Sequence, residues 1–548
     1  MKVIALFGRG DTGKTRCLGH LINLIHRETK GCNLLYEGQD MRVILGYMGQ
    51  RIAICTWGDN EYEELLNINY IQGTNPDIAI VATRTKGKTV EVLESFCNQT
   101  NTTPKWVEKY VASFDGKSGQ EYLNNLQAEQ ILDYMKGVIM GQLYYVDSIS
   151  TIDGEQGRYH VNLVGAEMSD GENPRMLSLE LSRNELYSEK AERLVQEDDF
   201  VRYDPDSDHQ FFWANDEPLA VVLRNESREL RQGLGELIMQ VDAVSLSMQG
   251  DPTFVKSYHI NVGHGNCSII LSLYGNDYEL WMVDCSTYDN TNHCDCSQNL
   301  YHCLDNIAHM LQMDLSSLRI KRFMLTHTHY DHYNGLQYLL NMGFVDSNTL
   351  VYANLFYDCA SPIWIRVLKR LKKLQCRFVE PVRNGQLQGA IHILHPECRI
   401  YQNPDAATAG VSHRIVSNVN DSSVVFGIEL GGHTMTLPGD LEQEGFNNMR
   451  NARACSQELF HSDYYIVSHH GSINGHPAMR CMPIATVLGC VMNNLKRVIL
   501  MGRDGAYSGI YSPVVTGYWQ SRSCGLELTE KAQYYIELDW ATGRVKYI

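Results

Sequence analysis

The order of apolar and polar positions divides the chain into stretches of different character. Near the start, the continuous apolar run Val3–Phe7 meets a glycine-rich turn and then Lys14–Ile25, where apolar residues recur every three or four positions. That pattern is a buried strand feeding an amphipathic helix. Arg42–Tyr47 and Arg51–Thr56 flank Met48-Gly49-Gln50 as a hairpin would, and Asp77–Thr83 is another buried-strand run. Residues 1–140 are therefore expected to form an α/β unit.

The spacing then changes. Tyr144–Ile152, Tyr159–Val164, Met176–Leu181 and Phe200–Tyr203 are short alternating runs separated by Asp, Gly and Asn. They predict a small β-barrel or β-rich connector, with Pro218–Met239 as a helical link, over residues 141–250. From residue 251 to 548 strand and helix patterns alternate again, closing with a hairpin of Tyr534–Asp539 and Arg544–Ile548.

Composition narrows the class. A chain of 548 residues is too long for one core, and 44% hydrophobic with 20% charged residues is a globular balance. The N-terminal apolar run is too short for a signal peptide, and no segment approaches the roughly 18 apolar residues of a membrane span. With 16 Cys and no export signal, the expectation is a cytoplasmic protein with reduced thiols and no membrane partner. A net charge of −17 argues against a surface that coats nucleic acid. It leaves room for a local basic groove, for which Arg366, Lys369, Arg370, Lys372 and Lys373 are candidates. The plainer reading of that stretch is a solvated helix face.

Chemistry concentrates in Leu325-Thr-His-Thr-His-Tyr-Asp-His-Tyr-Asn-Gly335. His327 and His329, two apart in extended chain, face one side, while Asp331 and His332 can face a second point nearby. These are ligand types that Zn²⁺ prefers. A chance match to this pattern is on the order of one in a thousand at ordinary residue frequencies. The apolar run before it and the helical pattern after it put these residues where a strand ends and a helix begins. Three further strands end in chemistry: Leu280–Cys285 carries Asp284, Thr434–Asp440 carries Asp440, and Tyr464–Ser472 carries His469 and His470.

In this order the motifs resemble the metallo-β-lactamase superfamily over about residues 255–515. They look most like the branch that contains the hydrolase domain of the competence DNA-uptake channel. His259–Ile270, Leu394-His-Pro396, Asn420–Val425, Leu437–Glu442 and Ser468–Ser472 match that branch's other signatures. The resemblance implies a C-terminal αββα sandwich with two Zn²⁺ or Mn²⁺ ions at the sheet edges. By position, His327 and His329 would hold one ion, and Asp331, His332 and His470 the other, with Asp440 shared. Asp284 would orient ligands rather than bind, and His469 would serve as a neighbouring catalytic or phosphate-contacting group beside Asp331. The Asp-x-Gly usual at the first motif is Asp284-Cys-Ser286 here, and His395 and His413 are the candidates for a further ligand. His293, Cys294, Cys296 and Cys303 could hold a structural Zn²⁺, against the plainer reading of scattered loop cysteines.

Gly8-Arg-Gly-Asp-Thr-Gly-Lys-Thr15, between strand and helix, fits G-x-x-x-x-G-K-[ST] and resembles the phosphate loop of P-loop NTPases. Gly8, Gly10 and Gly13 would let the backbone approach phosphate, Lys14 would reach the β- and γ-phosphates, and Thr15 would hold Mg²⁺. Asp59 fits a Mg²⁺ partner better than Asp77, which precedes its strand. Arg84 and Lys86 could sense phosphate. ATP and GTP are equally compatible.

The combined expectation is a di-metal phosphodiester hydrolase, a nuclease acting on nucleic acid, gated by a nucleotide-binding P-loop domain and used in defence. A partner protein or homo-oligomer would deliver substrate to so acidic a chain. The alternatives are a small-molecule phosphoesterase and a nucleotide-sensing module whose hydrolase fold is non-catalytic.

Overall fold

The structure is a computed structural model. It describes all residues except 11, 31–39, 48–49, 112–116, 141, 153–156, 167–174, 189–190, 204–210, 236–237, 241–249, 293, 383–389, 403–411, 417, 452–460, 477–494 and 507–509. Two compact units emerge, one holding Met1–Gln142 and the other Leu143–Tyr203 with most of the chain after it.

In the first unit, β1 (Lys2–Phe7), β2 (Arg42–Tyr47), β3 (Gln50–Cys55), β4 (Ile78–Thr83) and β5 (Lys105–Glu108) form a sheet in the order β2-β3-β4-β1-β5. β2 pairs antiparallel with β3 and the other pairs are parallel. Helices α1 (Lys14–Lys30) and α4 (Lys117–Met140) cover one face through Leu18, Leu21, Ile131 and Met135. Helices α2 (Glu61–Thr74) and α3 (Lys88–Gln99) cover the other through Ile68, Ile71, Leu93 and Phe96. Burial on both faces is why Ile78–Thr83 is apolar without alternation.

The second unit opens with an antiparallel sheet ordered Phe212–Trp213, Phe200–Tyr203, Gln142–Thr151, Arg158–Gly165 and Met176–Ser182. Among the described residues it is an open sheet with distinct edges rather than a barrel. One face makes its own cluster around Tyr144, Val161, Leu163 and Val201. The other, through Leu143, Tyr145, Val164 and Phe200, joins the largest core of the unit. The helix expected over Pro218–Met239 stops at Gly235, and Ile238–Gln240 instead pairs parallel with Arg377–Glu380. Glycines at 233 and 235 weaken the helix there, and an open sheet edge supplies backbone partners that local propensity cannot anticipate.

A nine-stranded sheet follows, ordered Ile238–Gln240, Arg377–Glu380, Leu350–Tyr352, Arg322–Met324, Asp277–Cys285, Cys267–Tyr274, Phe254–Ile260, Tyr535–Asp539 and Val545–Tyr547. A six-stranded sheet runs Ile391–His395, Val425–Leu430, His433–Leu437, Tyr464–Ile466, Arg497–Leu500 and Leu526–Leu528. Alternation sorts each strand's residues. Trp281 and Val283 enter a core shared with Phe426, Met435 and Ile499 of the other sheet, while Leu280 and Met282 face the helices 297–310, 336–341 and 362–373. Trp519 and Val515 of the helix 513–520 cover the outer face of the six-stranded sheet. The layers are helix, sheet, sheet, helix.

Candidate functional site

The chemistry-bearing residues of the second unit gather where strands of both sheets end. After Arg322–Met324 the chain stays extended, and His329 precedes a short helix, Tyr330–Tyr333, that carries Asp331 and His332. Asp284 ends the neighbouring strand with φ of 52°. Asp440 follows His433–Leu437 through Gly439, where φ is 60° and a Cβ would lie 2.5 Å from that of Thr326. His469, His470 and Gly471 take φ of 49°, 48° and 76° in succession. Consecutive left-handed residues carry strain that the surrounding packing must hold.

All of these side chains are buried. Asp331, His332, Asp440 and His470 each offer one ligand atom, and those atoms lie within 4.8 Å of one another. His470 Nε2 is 3.2 Å from Asp331 Oδ2 and 3.3 Å from Asp440 Oδ2. His332 Nε2 is 3.3 Å from Asp440 Oδ1, yet both atoms are buried with no hydrogen-bond partner among the described residues. They aim at a common point rather than at each other, as ligands of one cation do. His327 Nε2 and His329 Nδ1 converge to 3.1 Å, and the His327 ring lies 4.1 Å from that of His332. The donor set of imidazoles and carboxylates suits a borderline or hard divalent cation.

The outward atom of each imidazole is held as well, which fixes its ring and tautomer. His332 Nδ1 lies 2.8 Å from Asp284 Oδ2, whose carboxylate also accepts the Thr326 backbone N–H and hydroxyl at 2.8 Å each. His327 Nδ1 lies 3.1 Å from Thr326 Oγ1, and His470 Nδ1 lies 3.3 Å from the Met501 carbonyl. His469 does not share the convergence point. Its Nδ1 is 3.2 Å from Glu442 Oε1 and its Nε2 4.0 Å from Asp440 Oδ2.

The electrostatics fit a site preset for positive charge. Burial alone would raise Asp331 and Asp440, but His332 and His470 hold both carboxyls well below the usual range. Burial opposes charge on His332 and His470, yet the facing carboxylates push His332 well up and His470 to about 9. His327 is held well below its ordinary value by burial and by His332 and His329 beside it. A cation would meet carboxylates already deprotonated and would displace the protons held on His332 and His470.

Sequence reasoning missed several neighbours. His264 Nε2 is 3.3 Å from Asp331 Oδ2, its ring 4.4 Å from that of His470. It stands in the Gly263-His264-Gly265 turn, where a Cβ on Gly265 would lie 2.8 Å from the Asp331 carbonyl oxygen. The two flanking glycines were a legible signal. Glu442, two residues after Asp440, was legible too. Asp147, on the strand Gln142–Thr151, and Glu197, in the turn before Phe200–Tyr203, carried none. Of the further ligand candidates, His395 is buried with Nδ1 2.8 Å from the Ser423 carbonyl, and His413 is exposed on a short strand beside Tyr401. Cys303 packs in the main core while Cys294 is exposed; His293 lies outside the described residues. The basic residues of 362–373 lie on a helix whose Lys369 pairs with Glu226 and whose Arg370 bonds Asn341.

In the first unit, Gly8–Thr15 joins β1 to α1. Gly13 has φ of 84°, and a Cβ there would come within 2.9 Å of Asn124 Oδ1. Lys14 is buried and donates to the carbonyls of Gly8 and Arg9 at 3.2 and 2.9 Å, with Asp59 Oδ1 at 3.5 Å. Gly10 lies against the Arg84 guanidinium, and Arg84 Nε is 3.2 Å from Asp59 Oδ1. Asp59 thus faces Lys14 and Arg84. The Thr15 hydroxyl instead lies within donating distance of two acceptors, Asp40 Oδ1 at 2.9 Å and the Thr56 carbonyl at 3.0 Å. Asp40 is a carboxylate that sequence reasoning overlooked. Asp77 accepts the Arg51 N–H, and Lys86 is exposed. Beneath Gly58, Glu64 is buried and pushed up to about 8 by that burial.

No protein-family model matches the chain and no curated protein is similar to it. Among solved structures it is similar to the metallo-β-lactamase fold protein YhfI from Bacillus subtilis, at 13% identity, with 52% of this chain and 98% of that one covered and a TM-score of 0.28. A diphosphatase described as new, from the PhnP family, matches at 12% identity over 52% of this chain and 97% of its own, with a TM-score of 0.27.

Proposed function

We propose that the second unit is a metal-dependent hydrolase that cleaves phosphodiester bonds, with nucleic acid as substrate, and that nucleotide bound at Gly8–Thr15 gates it. The observation that carries the hydrolase reading is the convergence of Asp331, His332, Asp440 and His470 on one point, with Asp440 Oδ1 and His332 Nε2 buried and without hydrogen bonds among the described residues. His327 and His329 would hold one cation; Asp331, His332 and His470 would hold the second, with Asp440 shared. Zn²⁺ or Mn²⁺ suits this donor set. Bound cations would supply a water of lowered pKa and neutralise charge growing on the phosphoryl oxygens.

The chain's own groups do the rest. Asp284 holds His332 so that Nε2 faces inward, and Glu442 holds His469 with its Nε2 toward Asp440. From there His469 can contact a phosphoryl oxygen or deliver a proton to the leaving oxygen, helped by Glu442 and Asp440, which raise its pKa against the effect of burial. In the first unit, the Gly8–Thr15 backbone and Lys14 would take the phosphates of ATP or GTP, with Thr15 and a carboxylate of Asp59 or Asp40 on Mg²⁺.

Incubating the purified protein with Mn²⁺ or Zn²⁺ against plasmid, single-stranded DNA, RNA and bis-p-nitrophenyl phosphate tests the reading. Cleavage of a nucleic acid, lost in Asp331→Ala and His332→Ala chains that still fold, is the expected result. Cleavage of the chromogenic ester alone would favour a small phosphodiester, which the net charge of −17 would also suit. Retained metal-dependent hydrolysis in both variants would remove the site.

A further inference from the structure

The open sheet at the start of the second unit reaches into the candidate metal centre with two carboxylates. Gln142–Thr151 pairs with Arg158–Gly165, and the register shifts between Val146 and Ser148, so Asp147 is the extra residue of a bulge. Bulges turn a side chain out of the alternation and recur beside active sites. Here the Asp147 carboxylate is buried and accepts the backbone N–H of Tyr330, at 3.1 and 3.2 Å from its two oxygens. Tyr330 is the residue between His329 and Asp331.

Glu197 comes from the turn before Phe200–Tyr203, and that turn is bonded to the bulge: Val146 N–H donates to the Asp199 carbonyl and Asp198 N–H to that of Val146. Its Oε1 accepts the Ile149 N–H at 3.1 Å and its Oε2 the Val419 N–H at 3.1 Å. That leaves Oε1 3.7 Å from His329 Nε2. The neighbouring acids have other partners. Asp198 bonds Tyr145 and Gln402, and Asp199 pairs with Arg193.

His329 differs from the other imidazoles of the centre. His332 and His470 turn Nε2 inward, whereas His329 turns Nδ1 toward His327 Nε2. Its Nε2 is the outward atom and carries the proton when Nδ1 binds a cation. At 3.7 Å, an ion-pair distance rather than a hydrogen bond, the Glu197 carboxylate stands behind that atom, and a carboxylate behind a metal-ligating histidine raises its basicity.

We infer that Glu197 is a positioning residue for His329, holding it to coordinate through Nδ1, and that Asp147 pins the following peptide so that the two centres keep their spacing. The open sheet is then part of the metal centre rather than a spacer beside it. This inference rests on the metal reading of the site.

The test is metal affinity, by chelator competition with Zn²⁺, and the visible absorption of the Co²⁺-loaded full chain, alongside the melting temperature of the chelated protein. Glu197→Gln keeps the shape and one acceptor but loses the charge facing His329. It should weaken binding of one ion 10–100-fold and shift the Co²⁺ bands, the scale typical of losing a carboxylate behind a ligating histidine. Because one of the two backbone N–H groups loses its acceptor, the melting temperature of the metal-free chain should fall slightly, and Glu197→Asp should recover part of the affinity. Affinity and spectrum unchanged in Glu197→Gln, while His329→Ala loses an ion, would overturn the inference and leave the metal site standing. Full metal content in His329→Ala would instead remove His329 from the ligand set and the inference with it, and a wild-type chain that binds no metal would remove the metal reading. A Glu197→Gln chain that loses affinity with unshifted Co²⁺ bands would also count against the inference, because a purely structural carboxylate gives that result.

Discussion

The two candidate sites are built in opposite ways. In the first unit, Gly8–Thr15 is one short segment between β1 and α1, and Lys14 folds onto carbonyls five and six residues before it. Its carboxylate, Asp59, is 40% exposed. In the second unit Asp331, His332, Asp440 and His470 are all buried, and they come from segments far apart in the chain; Asp331 and His470 are 139 residues apart. A backbone cradle needs a turn and a helix start, so it can form locally and stay open to solvent. A buried cluster of imidazoles and carboxylates is tolerable only when each member is partnered or meets a cation. It therefore needs the whole sandwich to bring its partners.

If this contrast is right, the largest effect belongs to the residue on which the buried cluster turns. Asp440→Ala should lose more metal by elemental analysis than His327→Ala or His329→Ala, and hydrolysis should fall by at least about 10²–10³-fold, the scale for removing one group that stabilises developing charge. Equal metal losses in the three variants would break the shared-ligand assignment.

Chelation should separate the units next. A ligand that binds only the folded state at a hundred times its Kd stabilises by about 2.7 kcal/mol. Amides of the strands Arg322–Met324 and Tyr464–Ile466 should therefore exchange faster after metal is stripped, while those of β1 and β4 keep their rates. Faster exchange in both sets would mean that the first unit depends on the metal too.

Glu64 sharpens the comparison by pH. Burial raises its carboxyl from 4.5 to about 8 in the folded state. A raised folded value means that its contribution is complete below pH 4.5 and is lost as pH rises through about 8. β3 and β4 should thus lose protection over that window, by about 2 kcal/mol after allowance for relaxation around the charge. Glu64→Gln should flatten this dependence, and an unchanged profile would show that the carboxylate is solvated.

The smallest effect tests the local cradle. Lys14→Ala should weaken nucleotide binding by at least about tenfold, or about 1.4 kcal/mol, measured by calorimetry with ATP and GTP. Metal content should not change. Loss of metal in that variant would contradict the independence of the first unit.

Much of this was legible in the residues. The runs Lys2–Phe7 and Ile78–Thr83, the closing hairpin and the strand-to-helix passage at His327–His332 follow from hydrophobic period and from ligand spacing within a few residues. The ends of apolar strands also named Asp284, Asp440 and the pair His469 and His470, and the family resemblance chose His470 from that pair. The sequence could not say that Pro218–Gly235 would stop short to feed a sheet edge, that the Thr15 hydroxyl would bond Asp40 rather than face Asp59, or that His264 would stand against Asp331. Nor could it say that Asp147 and Glu197 would reach the Tyr330 amide and His329 from more than a hundred residues away. Period and motif are set by neighbours along the chain, within the span of a turn or a strand. Which strand ends meet is set by sheet order and register, which depend on the burial of both sheets at once, and a bulge such as that at Asp147 acquires its meaning only when another segment's amide lies opposite it.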